Sequence, residues 1–303
     1  MSAMPDMVEL VRRLEKAGVP FRRDQPLALL TWMGVGGSVP ILAEPRDVDD
    51  LALLRREALA LGVRLETLGE GANVLASDGE LPLAVVRLTA PVFQEIVLRE
   101  GGVRVGAGAS LEPLIRRTLS EGLAGLEGLV GIPATVGGAL AMNAGSRHAE
   151  ISGSLRSVTV VQDSGEVREI SKALCSFGYR KSSLRGMTVV SAEFELAAGD
   201  PQALREKARV IKEEKSRTQP LGDSSAGCIF RNPDGRSAGQ LIDSAGLKGL
   251  RQGQAQVSDR HANFMVNLGG ATADDIRCLI DRVRDSVRRA YGVELELEVV
   301  RWP

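Results

Sequence analysis

Histidine, cysteine and aromatic residues are scarce in this chain of 303 residues. There are two histidines, His148 and His261, and three cysteines, Cys175, Cys228 and Cys278. Neither type shows a metal-binding spacing, so no metal site is expected. A small, odd number of thiols suits a reducing compartment, and a cytoplasmic location is expected. Aromatics make up 3% of the residues, too few for a base-stacking platform. Charge is balanced, 38 Lys and Arg against 39 Asp and Glu, so no nucleic-acid partner is expected. No apolar run approaches the roughly 18 residues of a membrane span, and no membrane partner is expected. Residues 1–18 read as an amphipathic helix with mixed charge, not as a signal peptide. What remains is a globular chain, 44% hydrophobic, with room for roughly two domains.

Glycine, by contrast, is plentiful, at 34 residues. The densest stretch is 125–145, GLEGLVGIPATVGGALAMNAG, with six glycines and almost no charge. Such a stretch is too apolar for a solvated linker, and it can aim backbone N–H groups at a phosphate. It fits neither G-x-x-x-x-G-K-[ST] nor a G-x-G-x-x-G after a strand. Residues 105–110 begin like the second fingerprint, but Leu111 occupies its third glycine position, and a strand followed by a helix capped at Ser110 fits better. Two further clusters are Gly34-Val35-Gly36-Gly37 and 68–75, LGEGANVL. Alone, the first is more often a plain turn and the second reads equally as one; a dinucleotide touching several loops would account for all three.

Periodicity places helices at 47–61, from Ser110 to about Glu121, and at 202–217, 238–244 and 273–290. In the last of these, Ile276, Leu279, Ile280, Val283 and Val287 form the buried stripe. Strands are expected at 63–69, 83–88, 188–196, 263–268 and 294–300, with hairpins at 96–109 and 158–170. Gly199-Asp200-Pro201 is the clearest boundary, and a turn-rich loop should hold Gly227-Cys228.

Three constellations could carry chemistry. Phe177-Gly178-Tyr179-Arg180-Lys181-Ser182 offers an arginine fork to an anion, or is a solvated basic turn. Cys228, between a glycine and an apolar pair, is a small core residue or a thiol acid or nucleophile. Glu294, Glu296 and Glu298 alternate along one face of the final strand, as a solvated row or with one member reaching a site. Cys175 and Cys278 read as structural.

Taken in order, seven motifs resemble one family, UDP-N-acetylenolpyruvoylglucosamine reductase, in its shorter class without a tyrosine-bearing substrate loop. They are Gly34-Val35-Gly36-Gly37, 68–75, 125–145, Tyr179-Arg180-x-Ser182, Ala226-Gly227-Cys228-x-Phe230-Arg231-Asn232-Pro233, Ser258-x-x-His261-x-Asn263 and Leu295-Glu296-x-Glu298-Val299. The resemblance runs from about Thr31 to Arg301. It implies an α+β chain. After an N-terminal helix and lead-in at 1–30 comes an FAD-binding unit of the vanillyl-alcohol-oxidase (PCMH) type at 31–199. That unit has two α+β subdomains, with a break near 88–95. A smaller C-terminal α+β substrate-binding domain follows at 200–303.

The implied cofactor is non-covalent FAD. Its contacts would be Val35, Gly36, Gly37, Gly69, Glu70, Gly71, Ala72, Asn73, Val74, Gly131, Ile132, Pro133, Ala134, Thr135, Gly137, Gly138, Asn143, Ala144 and Gly145. The implied reaction, in peptidoglycan precursor synthesis, reduces UDP-N-acetylglucosamine enolpyruvate to UDP-N-acetylmuramate with NADPH as co-substrate. Hydride passes from flavin N5 to the enolpyruvyl β-carbon. Arg180 and Glu298 stabilise the enolate, and Cys228, where the family usually has serine, protonates the α-carbon. Tyr179, Arg180, Ser182, Arg231, Asn232, His261 and Asn263 would bind substrate, and a monomer is expected. Ala72, Ala134 and Arg147-His148 depart from the family pattern, which puts local FAD contacts in question. Two other readings stay open, a different flavoprotein of the same fold and a UDP-sugar-binding regulator without catalysis.

Overall fold

The computed structural model describes residues 6–303. The chain forms two compact units, neither continuous in sequence. The first comprises Met1–Gln25, Val39–Glu70 and Pro82–Glu213; the second comprises Pro26–Ser38, Gly71–Leu81 and Glu214–Pro303. The units therefore differ from the expected blocks at 1–30, 31–199 and 200–303. Two short excursions belong with the C-terminal residues, because Val74–Ala76 pairs in parallel with Val300–Trp302. The Asp78 carboxylate also accepts the N–H groups of Ala273 and Asp274, both at 3.0 Å, at the start of a long helix. Neither link leaves a local sequence signal.

In the first unit, helix α1 (Met7–Ala17) starts where the Asp6 side chain accepts from Glu9 N–H and stops at Gly18 in the left-handed region. The part of the expected helix before Asp6 lies outside the described residues. Helix α2 (Val48–Ala60) buries Leu51, Leu54, Arg55 and Ala58. A four-stranded sheet, in the order Phe21–Pro26, Ser38–Ala43, Ala84–Val86, Leu65–Thr67, sets Ala84–Val86 parallel to both of its neighbours. A second sheet is five-stranded and antiparallel, in the order Val167–Ser171, Leu155–Val161, Thr188–Glu195, Gly102–Gly106, Ile96–Arg99. Both expected hairpins lie in this sheet. Helices α3 (Leu111–Ser120) and α4 (Val136–Ala141) share its apolar core, which takes in Leu114, Val136 and Leu140. Helix α5 (Pro201–Thr218) carries the chain out of the first unit.

The second unit is built on an antiparallel sheet in the order Ser224–Cys228, Phe264–Asn267, Ala255–Val257, Arg251–Gln252. Helix α6 (Ala238–Ser244) and helix α7 (Ala273–Tyr291) complete its core, which holds the expected α7 stripe. A capping box of Thr272 and Asp275 begins α7.

Three expectations are corrected. Residues 294–299 form no ladder strand; only Val300–Trp302 does, and Leu297 makes a single antiparallel bridge with Phe230. The alternation itself survives, with Leu295 and Val299 buried and Glu294 and Glu296 exposed, because an extended backbone alternates faces with or without a full ladder. Cys228 lies on a strand, Ser224–Cys228, rather than in a loop. Ser110 stands at the N-cap position of α3, but its side chain accepts no helix N–H and is aimed at the Glu70 carboxylate, to which it donates. Among the described residues no helix is long and apolar enough to cross a membrane. No group of three His, Cys, Asp or Glu among them could hold a metal ion.

Candidate active site

In the first unit a cleft of about 190 Å³ opens beyond the carboxyl ends of the parallel strands Leu65–Thr67 and Ala84–Val86. This is where parallel sheets commonly take ligands, because the chain leaves each strand there and the turns can face a bound molecule. Thr67 to Glu70 and Arg87 to Thr89 form one wall; Ala107, Gly108, Ser110, Thr135, Gly137 and Gly138 form another. Glycine is obligatory at two of these positions. A Cβ on Gly69 would stand 2.4 Å from Thr135 Oγ1, and one on Gly108 would stand 2.0 Å from the Leu88 carbonyl oxygen. At Gly69 the backbone thus lies against the Thr135 side chain, and at Gly108 it lies against the Leu88 backbone. Arg87 brings a cation to the cleft, and Gln94 a side-chain amide. The Glu70 carboxylate, tied to Ser110, can only accept, which suits hydroxyl or ring N–H donors rather than a phosphate.

The expected FAD residues separate by what surrounds them. Gly69, Glu70, Thr135, Gly137 and Gly138 line the cleft. Helix α4 does not present its N-terminus to a phosphate, however. The N–H groups of Val136 and Gly137 donate to the carbonyls of Ala109 and Ala107, and that of Gly138 donates to Thr135 Oγ1. Gly131 supplies a left-handed turn, φ 76°, while Ile132 and Ala134 pack against the apolar core and Pro133 lies between them. Those four shape the wall without lining it. Asn143 does not line this cleft. It is 1% exposed, and its amide donates to Glu150 at 3.0 Å and to the Gly178 carbonyl at 3.1 Å.

This last contact explains what the end of the glycine-rich stretch does. Asn143 holds Gly178 while Arg180 Nη2 donates to the Gly145 carbonyl at 2.8 Å, a double latch between 143–145 and 178–180 that has Ala144 at its centre. Arg180 sits at φ 55° and Asn143 at φ 44°, both left-handed. For a non-glycine residue this conformation costs on the order of 1–2 kcal/mol. The Arg180 guanidinium stacks 5.0 Å from the ring centre of Tyr179, which is exposed, and Ser182 anchors the far side of the turn on the Ala141 carbonyl at 2.9 Å.

The second unit holds the remaining candidates. Gly36 and Gly37 are crowded, a Cβ on Gly37 falling 1.6 Å from the Gly79 carbonyl oxygen, and Val35 is buried. Within Gly71, Ala72, Asn73 and Val74, Gly71 presses on the Leu30 carbonyl, and Val74 opens the strand paired with Val300. Asn73 Nδ2 donates to the Glu298 carbonyl at 3.2 Å. Glu298 N–H in turn donates to the Ile229 carbonyl at 2.8 Å, so Glu298 is fixed one residue along the chain from Cys228. The strand carrying Cys228 breaks register between Ser225 and Cys228, where Gly227 takes φ 71°; such a bulge re-aims the next side chain.

Among the expected substrate contacts, Arg231 Nη1 lies 3.4 Å from Glu296, and Asn232 Oδ1 accepts from Ala238 N–H at 3.0 Å. Burial holds the His261 imidazole below its ordinary pKa, and the Lys248 charge adds to this; its ring meets Phe264 edge-on at 4.8 Å. Asn263 is turned into the protein. It is 2% exposed, and its amide is fully engaged with Phe230, accepting from the N–H at 3.0 Å and donating to the carbonyl at 2.8 Å. Its role is to hold the segment that follows Cys228.

Several cleft residues escaped the reading of the sequence: Thr67, Arg87, Gln94, Gly108, Ser110 and Met187. Only Gly108 and Ser110 carried a signal, the incomplete fingerprint at 105–110. It is no Rossmann turn, yet it lines the cleft.

A family model for a UDP-N-acetylenolpyruvoylglucosamine reductase C-terminal domain matches residues 219–302, and one for an FAD-binding domain matches residues 39–171. The chain is 40% identical to UDP-N-acetylenolpyruvoylglucosamine reductase 2 of Symbiobacterium thermophilum, over 99% of this chain and 97% of that protein. It is 37% identical to the UDP-N-acetylenolpyruvoylglucosamine reductase of a Bradyrhizobium species, over 94% of this chain and 95% of that one. The crystal structure of UDP-N-acetylenolpyruvylglucosamine reductase from Thermus caldophilus superposes with a TM-score of 0.82 at 37% identity, over 94% of this chain and all of that one. Berberine bridge enzyme from Eschscholzia californica shares the fold alone, at 10% identity and a TM-score of 0.51 over 63% of this chain and 44% of that one.

Proposed function

The chain belongs to the UDP-N-acetylenolpyruvoylglucosamine reductase family, and on that premise we propose that it reduces UDP-N-acetylglucosamine enolpyruvate to UDP-N-acetylmuramate with NADPH, as a cytoplasmic monomer. As a family member it is an FAD-dependent oxidoreductase of peptidoglycan synthesis, with a PCMH-type FAD-binding domain and a reductase C-terminal domain. The cleft fits FAD. Its walls have no room for a side chain at Gly69 and Gly108, Arg87 offers a cation to a pyrophosphate, and Glu70 offers an acceptor to hydroxyl groups.

When bound, FAD supplies the hydride for the enolpyruvyl β-carbon from its N5, after reduction by NADPH. The rest of the chemistry is assigned to the protein. Arg180 meets the negative charge that grows on the substrate carboxylate as the β-carbon gains hydride; a positioned cation is most effective at such a point. Glu298 assists as a protonated carboxyl or through a water. The Cys228 S–H gives its proton to the α-carbon, so the double bond gains one hydride and one proton and becomes saturated. A thiol, with a reference pKa near 8.5, is a stronger acid than the serine hydroxyl usual in the family. Tyr179 and Ser182 flank the carboxylate site, while Arg231, Asn232 and His261 serve the nucleotide end.

The observation that carries this reading is the latch at Arg180. A strained, left-handed arginine held by the Gly145 carbonyl is unfavourable for folding, and such strain marks functional sites. The test is the absorption spectrum of the purified protein without oxygen. Yellow colour that bleaches with NADPH and returns on adding the enolpyruvyl sugar nucleotide is expected. Reoxidation by oxygen alone would favour the oxidase reading, and a colourless protein would favour the regulator.

A further inference from the structure

Arg55 lies on the core face of α2, among Leu51, Leu54 and Ala58, and is 3% exposed. Its guanidinium reaches from the helix to the five-stranded sheet. Nη1 donates to Thr188 Oγ1 at 2.5 Å; Nη2 donates to the Gly186 carbonyl at 2.6 Å and to the Asp163 carboxylate. The side chain of Asp163 is 62% exposed, so this buried cation has one largely solvated counter-ion. Stability alone is a weak reason for such a residue, since an apolar side chain of similar size is often as good or better in a core.

The hydrogen bonds run onward. Thr188 is wholly buried, and its Oγ1 lies 2.9 Å from Oγ1 of Thr67. Burial fixes the direction of the chain. Arginine can only donate, so it occupies one lone pair of the Thr188 oxygen and leaves the Thr188 hydrogen in need of an acceptor. In that buried position Thr67 Oγ1 is, among the described residues, the acceptor its hydrogen can reach. Thr67 is exposed at the end of its strand, lines the cleft, and makes no other hydrogen bond among the described residues. Its own hydrogen is therefore turned toward the cleft.

The geometry points to a relay, Arg55 to Thr188 to Thr67, that ends in a hydroxyl donating to an oxygen acceptor of FAD bound in this cleft. Thr67 is the cofactor contact, and Arg55 is the positioning residue that polarises and aims it. A hydrogen bond backed by a charge is stronger than a neutral one, and a chain of them reinforces its terminal donor. The relay rests on the cleft being the flavin site.

The test is the FAD dissociation constant of the full chain, read by flavin fluorescence on titrating the deflavinated protein, together with its melting temperature. Thr67→Val removes the terminal hydroxyl and leaves the Arg55–Thr188 bond in place. FAD binding should weaken about tenfold, the scale of one hydrogen bond, with the melting temperature lowered only by the loss of the one acceptor of the buried Thr188 hydroxyl; Thr67→Ser should restore both. Arg55→Met should weaken binding, by no more than that factor, and adding Thr67→Val to it should bring the loss only to that of Thr67→Val alone, because Arg55 acts through the one terminal donor. If Arg55→Met does not fold, Thr188→Val reads the same coupling. Unchanged affinity in Thr67→Val would overturn the relay, and factors that multiply in full would overturn the part given to Arg55. Gly138→Asp sets a carboxylate in the cleft as a control. If it abolishes FAD binding while Thr67→Val does not, the relay alone fails; if it too binds normally, the cleft is not the flavin site.

Discussion

Asn263 separates a packing role from a substrate role with one substitution. Asn263→Ala removes both partners of the Phe230 backbone in a place where Phe230 is 1% exposed and no water reaches. A buried N–H and a buried carbonyl are then left unpaired, each costing about 1–3 kcal/mol. Together they cost roughly 4 kcal/mol, a large share of a typical stability of about 5–15 kcal/mol. At about 2–4 °C per kcal/mol for a unit of this size, the melting temperature should fall by roughly 8–16 °C. Thermal unfolding by circular dichroism, with and without FAD, measures this directly. Asn263→Asp should do no better, since a carboxylate can accept from the Phe230 N–H but cannot donate to its carbonyl. A variant that melts within about 2 °C of the parent but shows a raised KM for the sugar nucleotide would refute the reasoning and return Asn263 to the substrate contacts.

Further outcomes are expected elsewhere. Cys228→Ala should still let NADPH bleach the flavin but should block reoxidation by substrate; normal turnover would remove Cys228 as proton donor. Cys228→Ser should stay active and carry its rate to higher pH than the parent, because a hydroxyl keeps its proton where a thiol loses it. Burial depresses the folded pKa of His261 below its unfolded value of about 6.5, so the unfolded chain takes up a proton first as pH falls. Its stabilising contribution is present above that pH and is lost as pH drops from about 6.5 through the folded pKa; His261→Phe should flatten urea midpoints over this window, and an unaltered slope would count against it. Asp78→Ala strips α7 of the carboxylate that accepts two of its first N–H groups, and should cost about 1–2 kcal/mol in urea unfolding, with Asp78→Asn recovering part.

Much of the fold was legible in the residues. The α7 stripe, both hairpins and the short helix at 238–244 follow from periods and turn residues that act over a few positions. Ser110 shows where this stops. It stands at a helix start, as expected, but Glu70, forty residues earlier in the chain, takes its hydroxyl. The strand at Ser224–Cys228 was hidden because its residues are small and polar, and its existence depends on the partner strand Phe264–Asn267. The candidate site was half legible for a related reason. Glycine clusters announce close approach without saying what approaches, so Gly69, Gly137 and Gly138 proved to be cleft walls, while Asn143 and Asn263 proved to be buried ties.

By itself the sequence determined the family, the FAD cofactor and the local elements, because ordered motifs and hydrophobic periods are properties of neighbouring residues. Only the tertiary structure decided that Gly71–Leu81 belongs with the C-terminal residues, that α4 has no N–H groups to offer a phosphate, and that an arginine in a helix core is joined through two threonines to a cleft. Each of these depends on a hydrogen-bond partner distant in the chain, and a polar group's partner is fixed by what folding brings beside it, not by the residues that flank it.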